Sequence, residues 1–411
     1  MALNRIGAVM IASPKNSTTA MCDVPDLACI IPRVNPSNFI DNDKVVNEIK
    51  EVLNQKMLKA VVLVDSDADE QLLGHFKVHT LERLYGIGKE NPESAANVRN
   101  AEAKVQMDDP CLVIFTSGST SRSKPIEYTH SAYVNGVLAN INCLRLSKDS
   151  IFFFDTVFDW VTGISFCIGS CIVQGLTYVA FPAKAGLDSN HLFTIVRIMA
   201  EESVTDANFR KHHLHNMAAN KDEIQAMNLD IKLQRVSIGG EPTPPFLIKS
   251  FLEIWPNISL LHVYALYGST EANLCLSQKI NNDILDCLDN GAMDVVPGME
   301  VKIVNKKGQL LPIGEAGEIC VRSAWVSFCN WDYMNPDLEG RVDTIKKPNG
   351  WHSSKDVGVV VNQNCIRLLG RLDFMMKVAG DSIPPALVES KLQEHPDVKK
   401  VCVVGVPDDR L

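Results

Sequence analysis

Apolar residues in this chain appear first as short continuous runs and later as alternating positions. Residues 60–64, 111–115, 234–238 and 260–264 are compact apolar runs that read as strands. Between them, 45–53, 191–202 and 245–254 carry helical patterns. Strand runs alternating with helical stretches predict an α/β architecture. From Val301 the style changes, because 301–304 and 318–322 alternate like half-exposed antiparallel strands. Residues 357–361 and 365–369 flank Asn362-Gln363-Asn364, a hairpin pattern. Pro384 and Pro385 then precede a predicted helix over 386–393. The polar segment 88–109 reads as a mobile surface linker. The longest apolar stretch, 164–181, is interrupted by Ser165, Ser170, Gln174, Gly175 and Thr177. It predicts a buried helix followed by a strand, not a membrane span.

At 411 residues the chain is long for one core, so a large domain with subdomains is expected. Hydrophobic content of 46% and charge of 22% are ordinary for a globular protein. A net charge of −9 with scattered Lys and Arg argues against nucleic acid as a partner. Twelve cysteines without a Cys-x-x-Cys pair suit a reducing compartment. Residues 1–13 lack the apolar core and cleavage site of a signal peptide, and Asp409-Arg410-Leu411 is not a peroxisomal Ser-Lys-Leu address. The expected compartment is therefore the cytoplasm, with no stable membrane span.

The chemistry is concentrated after the run 111–114, where Phe115 to Pro125 read Phe-Thr-Ser-Gly-Ser-Thr-Ser-Arg-Ser-Lys-Pro. Thr116, Ser117, Ser119 and Thr120 offer hydroxyls, Gly118 permits close backbone approach, and Lys124 supplies a positive charge. Such a loop suits a polyphosphate. A Walker-type loop fits less well, because Ser123 stands at its second glycine and Pro125 at its magnesium-binding hydroxyl. The stretch resembles the signature Thr-Ser-Gly-Ser/Thr-Thr-Gly-x-Pro-Lys-Gly of the adenylate-forming superfamily. That superfamily includes acyl-CoA synthetases, beetle luciferases and the adenylation domains of peptide synthetases. Ser121, Ser123 and Pro125 depart from the signature.

Further matches extend the resemblance over nearly the whole chain. Tyr267-Gly268-Ser269-Thr270-Glu271 is similar to the superfamily's Tyr-Gly-x-Thr-Glu. The resemblance implies that Tyr267 packs on adenine, Thr270 touches the α-phosphate and Glu271 holds magnesium. Gly239-Gly240-Glu241-Pro242 occupies the place of its adenine-edge loop. Gly350-Trp-His-Ser-Ser-Lys-Asp356 resembles Gly-Trp-x-x-Thr-Gly-Asp, which implies that Asp356 accepts both ribose hydroxyls. Lys355 replaces the glycine of that motif. The run from Gly370 to Lys377, with Gly380, Ile383, Pro385 and Glu389, resembles the superfamily's hinge. There Arg371 is expected to contact ribose and phosphate, and Asp373 to mark the pivot.

By the same resemblance the fold is a large N-terminal adenylation domain of β-sheets sandwiched by helices, plus a small β-barrel-like subdomain. The expected division is 1–371 for that domain and 372–411 for the start of a small C-terminal domain. Relative to the family, segments before Gly7 and after Leu411 are expected to be missing, the latter with the lysine that bridges carboxylate and α-phosphate. Lys399 and Lys400 precede that region. This suggests a fragment, a splice form or a degenerate paralogue.

The implied activity is ATP-dependent adenylation of a fatty or aryl carboxylic acid, then thioester formation with CoA as co-substrate. The implied cofactors are ATP and Mg²⁺, and Lys124, Thr270 and Glu271 are the candidate catalytic residues. Ile383-Pro384-Pro385 with Val388-Glu389 favours this branch. Phe154-Asp155 instead looks like the peptide-synthetase Phe-Asp-x-Ser segment, whose Asp binds a substrate ammonium, and Gly240-Glu241 leans the same way. A non-catalytic nucleotide-binding paralogue is the third reading. Phe158-Asp159-Trp160 stands where many members place a His after a Phe. His212, His213 and His215 read as a solvated helix face without metal-ligand spacing, and Cys167 and Cys171 as core packing.

Overall fold

The computed structural model describes residues 10–12, 27–32, 58–64, 77–116, 125–156, 160–180, 189–241, 243–255, 262–280, 292–327, 329–331, 341–344, 349–378, 381–393, 395, 398 and 401–406. They fall into two units, Met1–His130 with Cys329–Thr344, and Ser131–Phe328 with Ile345–Leu411. The predicted helix at 45–53 lies outside the described residues.

In the first unit the strands are β1 (Met10–Ala12), β2 (Leu27–Pro32), β3 (Leu58–Val64), β4 (Lys77–Thr80), β5 (Pro110–Phe115) and β6 (Pro125–Thr129). Strands β2, β3 and β4 form a parallel sheet. The apolar run 111–115 is buried throughout and pairs parallel with β1 and antiparallel with β6. Pro125 faces Phe115 in that register. It is the first residue of its strand, a position that tolerates the missing N–H. The expected linker at 88–109 is instead largely helical, Leu81–Glu90 and Ser94–Glu102. No residue of the second helix is buried, so its polarity reported exposure correctly. Ala95 and Ala96 still favour helical backbone there.

The second unit contains β7 (Ile151–Phe154), β8 (Thr177–Val179), β9 (Asp206–Phe209), β10 (Arg235–Gly239), β11 (His262–Ser269), β12 (Asn273–Ile280) and β13 (Ala292–Val295). It continues with β14 (Glu300–Val304), β15 (Ala316–Arg322), and, after β16 (Cys329–Trp331) and β17 (Arg341–Thr344) of the first unit, β18 (His352–Asn362) and β19 (Cys365–Arg371). The hairpin β20 (Met376–Val378) and β21 (Asp381–Ile383) precedes helix Pro385–Gln393. Among the described residues, eleven strands form one sheet in the order β14-β15-β18-β19-β13-β12-β11-β10-β9-β7-β8. Strands β7 to β11 are parallel, and the antiparallel strands join the same ladder through β12.

Parallel strands require crossovers, supplied by Ser189–Glu201, by Lys211–Ala219 with Lys221–Ala226, and by Pro245–Ile254. Their apolar faces bury Ile195, Met199, Leu214, Leu247 and Phe251 against Phe153, Phe209, Val236 and Ile238. The stretch after residue 160 is a π-helical segment, Thr162–Gly169, continued by Ser170–Gln174 and then β8. Cys167 is buried there and Cys171 half-buried. No helix among the described residues is long and apolar enough to cross a membrane.

Candidate active site

Because β7, β9, β10 and β11 run the same way, their carboxyl ends share one edge of the sheet, where α/β folds gather ligands. That edge presents Asp155 and Thr156 after β7, Arg210 after β9, and Gly240 and Glu241 after β10. Tyr267, Gly268 and Ser269 lie within β11 itself, so the motif extends the apolar run as strand. Its register with β12 shifts between Tyr267 and Gly268. A Cβ at Gly268 would stand 1.9 Å from the Asn273 carbonyl oxygen, so the crossing admits only glycine. Gly240 takes φ +86°, which allows the chain to turn off the edge.

Tyr267 Oη donates to Asp356 Oδ2 at 2.5 Å, and Arg371 Nη1 donates to Asp356 Oδ1 at 3.2 Å. Arg371 Nη1 also reaches the Ser354 carbonyl at 3.2 Å. Burial, reinforced by the Asp356 carboxylate, pushes the Tyr267 hydroxyl well above its ordinary range, so it remains a donor. Lys355, in the place of the motif's glycine, holds φ +64°. A side chain thus occupies the left-handed region within β18, where glycine is the residue without strain. Thr270 and Glu271 are half-buried on the turn before β12, where the Ser269 hydroxyl accepts from the Ala272 N–H at 3.2 Å. The Glu271 carbonyl accepts from Ser327 N–H at 2.7 Å, while its carboxylate has no hydrogen bond or ion pair among the described residues. An uncommitted carboxylate is the donor type a hard cation takes.

In the first unit, Thr116 is half-buried at the end of β5. Ser117, Gly118, Ser119, Thr120, Lys124 and Pro242 lie outside the described residues, as do Phe158 and Asp159.

The histidine cluster is not a solvated face. His213 is 1% exposed and its Nε2 stands 3.3 Å from Oδ2 of Asp155, itself buried. The reason is local: the Arg210 N–H, at the start of helix Lys211–Ala219, donates to His213 Nδ1 at 3.1 Å. With Nδ1 accepting, a neutral ring carries its proton on Nε2 and donates to Asp155. Asp155, His212 and His213 bring potential ligand atoms within 4.8 Å of one another, yet this donor set does not fit a metal ion. Coordination by Nε2 would move the ring proton to Nδ1, against the Arg210 N–H. Arg210 Nη2 donates to the Asp155 carbonyl and to Thr156 Oγ1, each at 3.2 Å. Its guanidinium lies over the rings of Phe154 and Trp160, 5.6 and 5.0 Å from their centroids. Burial, with smaller effects from His213 and Arg210, lowers His212 to about 4. In the sequence this second cluster was signalled by Phe154-Asp155 and by the histidines at 212, 213 and 215, which read there as a solvated face; Arg210 carried no signal of its own.

Residues 8–329 match the family model described as AMP-binding enzyme. Acetyl-coenzyme A synthetase of Bacillus subtilis (strain 168) is 25% identical over 348 residues, 81% of this chain and 58% of that protein. Acyl-CoA ligase sidI of Aspergillus fumigatus is 24% identical over 336 residues, 80% of this chain and 54% of that one. The chain therefore spans little more than half the length of these relatives. The crystal structure of the anthranilate CoA ligase AuaEII in complex with anthranoyl-AMP superposes with TM-score 0.72 at 20% identity, covering 98% of this chain and 70% of that one. That likeness is one of fold. A family match over most of its length, together with this architecture, makes the chain a member of the AMP-binding enzyme family.

Proposed function

We propose that this chain activates a carboxylic acid, fatty or aryl, by ATP-dependent adenylation and transfers the acyl group to coenzyme A. The observation that carries the reading is the meeting of Tyr267, Asp356 and Arg371, on the unit that also carries the uncommitted Glu271. In the first step a substrate carboxylate oxygen bonds to the α-phosphorus while the bond to pyrophosphate breaks. In the second, a thiol sulfur takes the acyl carbon and AMP leaves.

Asp356 accepts the ribose hydroxyls through lone pairs not used by Tyr267 and Arg371, since a carboxylate offers about four. Tyr267 packs on adenine, and Gly240, Glu241 and Pro242 border its edge. Thr270 is the candidate for the α-phosphate, and Thr116, Ser117, Gly118, Ser119, Thr120 and Lys124 are the candidates for polyphosphate binding. Glu271 would hold Mg²⁺, which when bound offsets the phosphate charge. Residues 1–371 serve as the adenylation domain and 372–411 begin the C-terminal one. The test is ATP–pyrophosphate exchange with a panel of fatty acids, aryl acids and amino acids. Exchange with fatty or aryl acids is expected; ATP binding without exchange for any of them overturns the reading in favour of a non-catalytic nucleotide-binding role.

Asp155 supports the amino-acid reading, with Gly240-Glu241, since a carboxylate at the end of β7 suits an ammonium. Arg210 weighs against it, because its guanidinium already offsets that carboxylate.

A further inference from the structure

Among the described residues, Asp155 is a carboxylate held by one oxygen only. Oδ2 receives the His213 Nε2–H, whose tautomer is fixed by the Arg210 N–H on the other ring nitrogen. Oδ1 is buried and has no hydrogen-bond partner among the described residues. An acceptor left unmet inside a protein is costly, so such an atom marks where a donor belongs. The charge beside it decides what kind of donor. The Arg210 guanidinium is tied to the Asp155 carbonyl and to Thr156, which leaves little room for a second cation next to the carboxylate. A neutral O–H or N–H makes the bond without that repulsion. The neighbouring surface is aromatic: Arg210 covers Phe154 and Trp160, and Trp160 is 41% exposed. Strand order puts Asp155 three strands and Arg210 two strands from β11, about 10–14 Å along the same edge. An acyl group can span that distance.

We propose that His213 is a positioning residue that sets the substrate class, holding Asp155 so that its unmet oxygen receives a hydroxyl or arylamine on the organic part of an aryl acid. The inference rests on the acid-activation reading above. It differs from the ammonium role of an aspartate in requiring a neutral donor and an intact Asp155–His213 pair.

The experiment is titration calorimetry of the full chain with benzoate, its three monohydroxy isomers, 2-aminobenzoate and phenylalanine, each with ATP–pyrophosphate exchange in parallel. At least one hydroxy or amino derivative is expected to bind about tenfold tighter than benzoate, the scale of one hydrogen bond to a charged group. Phenylalanine is expected to bind no better than benzoate. In His213→Leu the ratio between derivative and benzoate should fall to within about twofold. His213→Gln keeps an N–H near the Nε2 position and should retain part of the ratio, a rescue that a purely packing role does not produce. If His213→Leu does not unfold cooperatively, His213→Gln and Asp155→Asn carry the comparison.

A preference unchanged in both histidine variants, tightest binding by phenylalanine, or no derivative better than benzoate overturns the inference alone. Failure of every acid to bind or exchange, with ATP still bound, overturns the acid-activation reading with it.

Discussion

Replacing Lys355 by Gly should stabilise the protein, although it removes a side chain and an ion pair. Lys355 sits in β18 at φ +64°, one residue before Asp356. An L-residue in the left-handed region costs roughly 1–2 kcal/mol, which glycine avoids. Glycine in turn costs about 0.5–1 kcal/mol through the freedom it gains in the unfolded chain. The Lys355 ammonium lies 3.6 Å from Glu318, but its side chain is 58% exposed, so that pair contributes at most about 0.5 kcal/mol. Glu318 also keeps the Ser353 hydroxyl as a partner. The balance is about 0–1 kcal/mol in favour of Gly. Lys355→Ala is the control, because it loses the same ion pair and keeps the left-handed strain. Gly should therefore exceed Ala by about 1 kcal/mol, whereas at an ordinary strand position Ala leads by about 0.5–1 kcal/mol. Urea unfolding followed by both circular dichroism and tryptophan fluorescence measures the difference, provided the two transitions coincide. An Ala variant more stable than the Gly variant would refute the reasoning, since the sign depends only on the backbone angle.

Arg235 and Asp206 form a bidentate pair at the amino ends of β10 and β9, away from the functional edge, with Asp206 buried. Arg235→Leu should cost about 3 kcal/mol in urea unfolding by stranding that charge, and a loss under about 1 kcal/mol contradicts the assignment. Asp356→Ala should weaken ATP by about 1–3 kcal/mol in calorimetry, and unchanged affinity removes it from the ribose site. His212 is lowered to about 4 by burial, so between about pH 6.5 and 4 the unfolded state binds more protons than the folded one. Stability should fall as pH drops through that window, and His212→Gln should flatten the fall; an identical pH profile rules this source out.

Local pattern determined much of the protein by itself. The apolar runs at 111–115 and 234–238, the helix at 245–254 and the hairpin at 357–369 all form close to their expected bounds. The reason is that backbone periodicity and turn chemistry are written over a few neighbouring residues. The Tyr267-to-Glu271 motif was legible for the same reason, and so was the family. Composition does not tell exposed helix from exposed coil, so the segment 88–109 is exposed as its polarity implies but carries helix that the polarity does not show. Nor could spacing show that the antiparallel strands continue the large sheet, because register is set between strands far apart in sequence. The polar contacts depended most on tertiary structure. Tyr267 meets Asp356 across 89 residues, and Asp155 meets His213 across 58. A buried carboxylate persists only where the fold delivers its partner, and in a linear sequence His213 looked like one more polar residue on a helix. Topology decided its role, by running β7 and β9 side by side and starting a helix with an N–H that needed an acceptor.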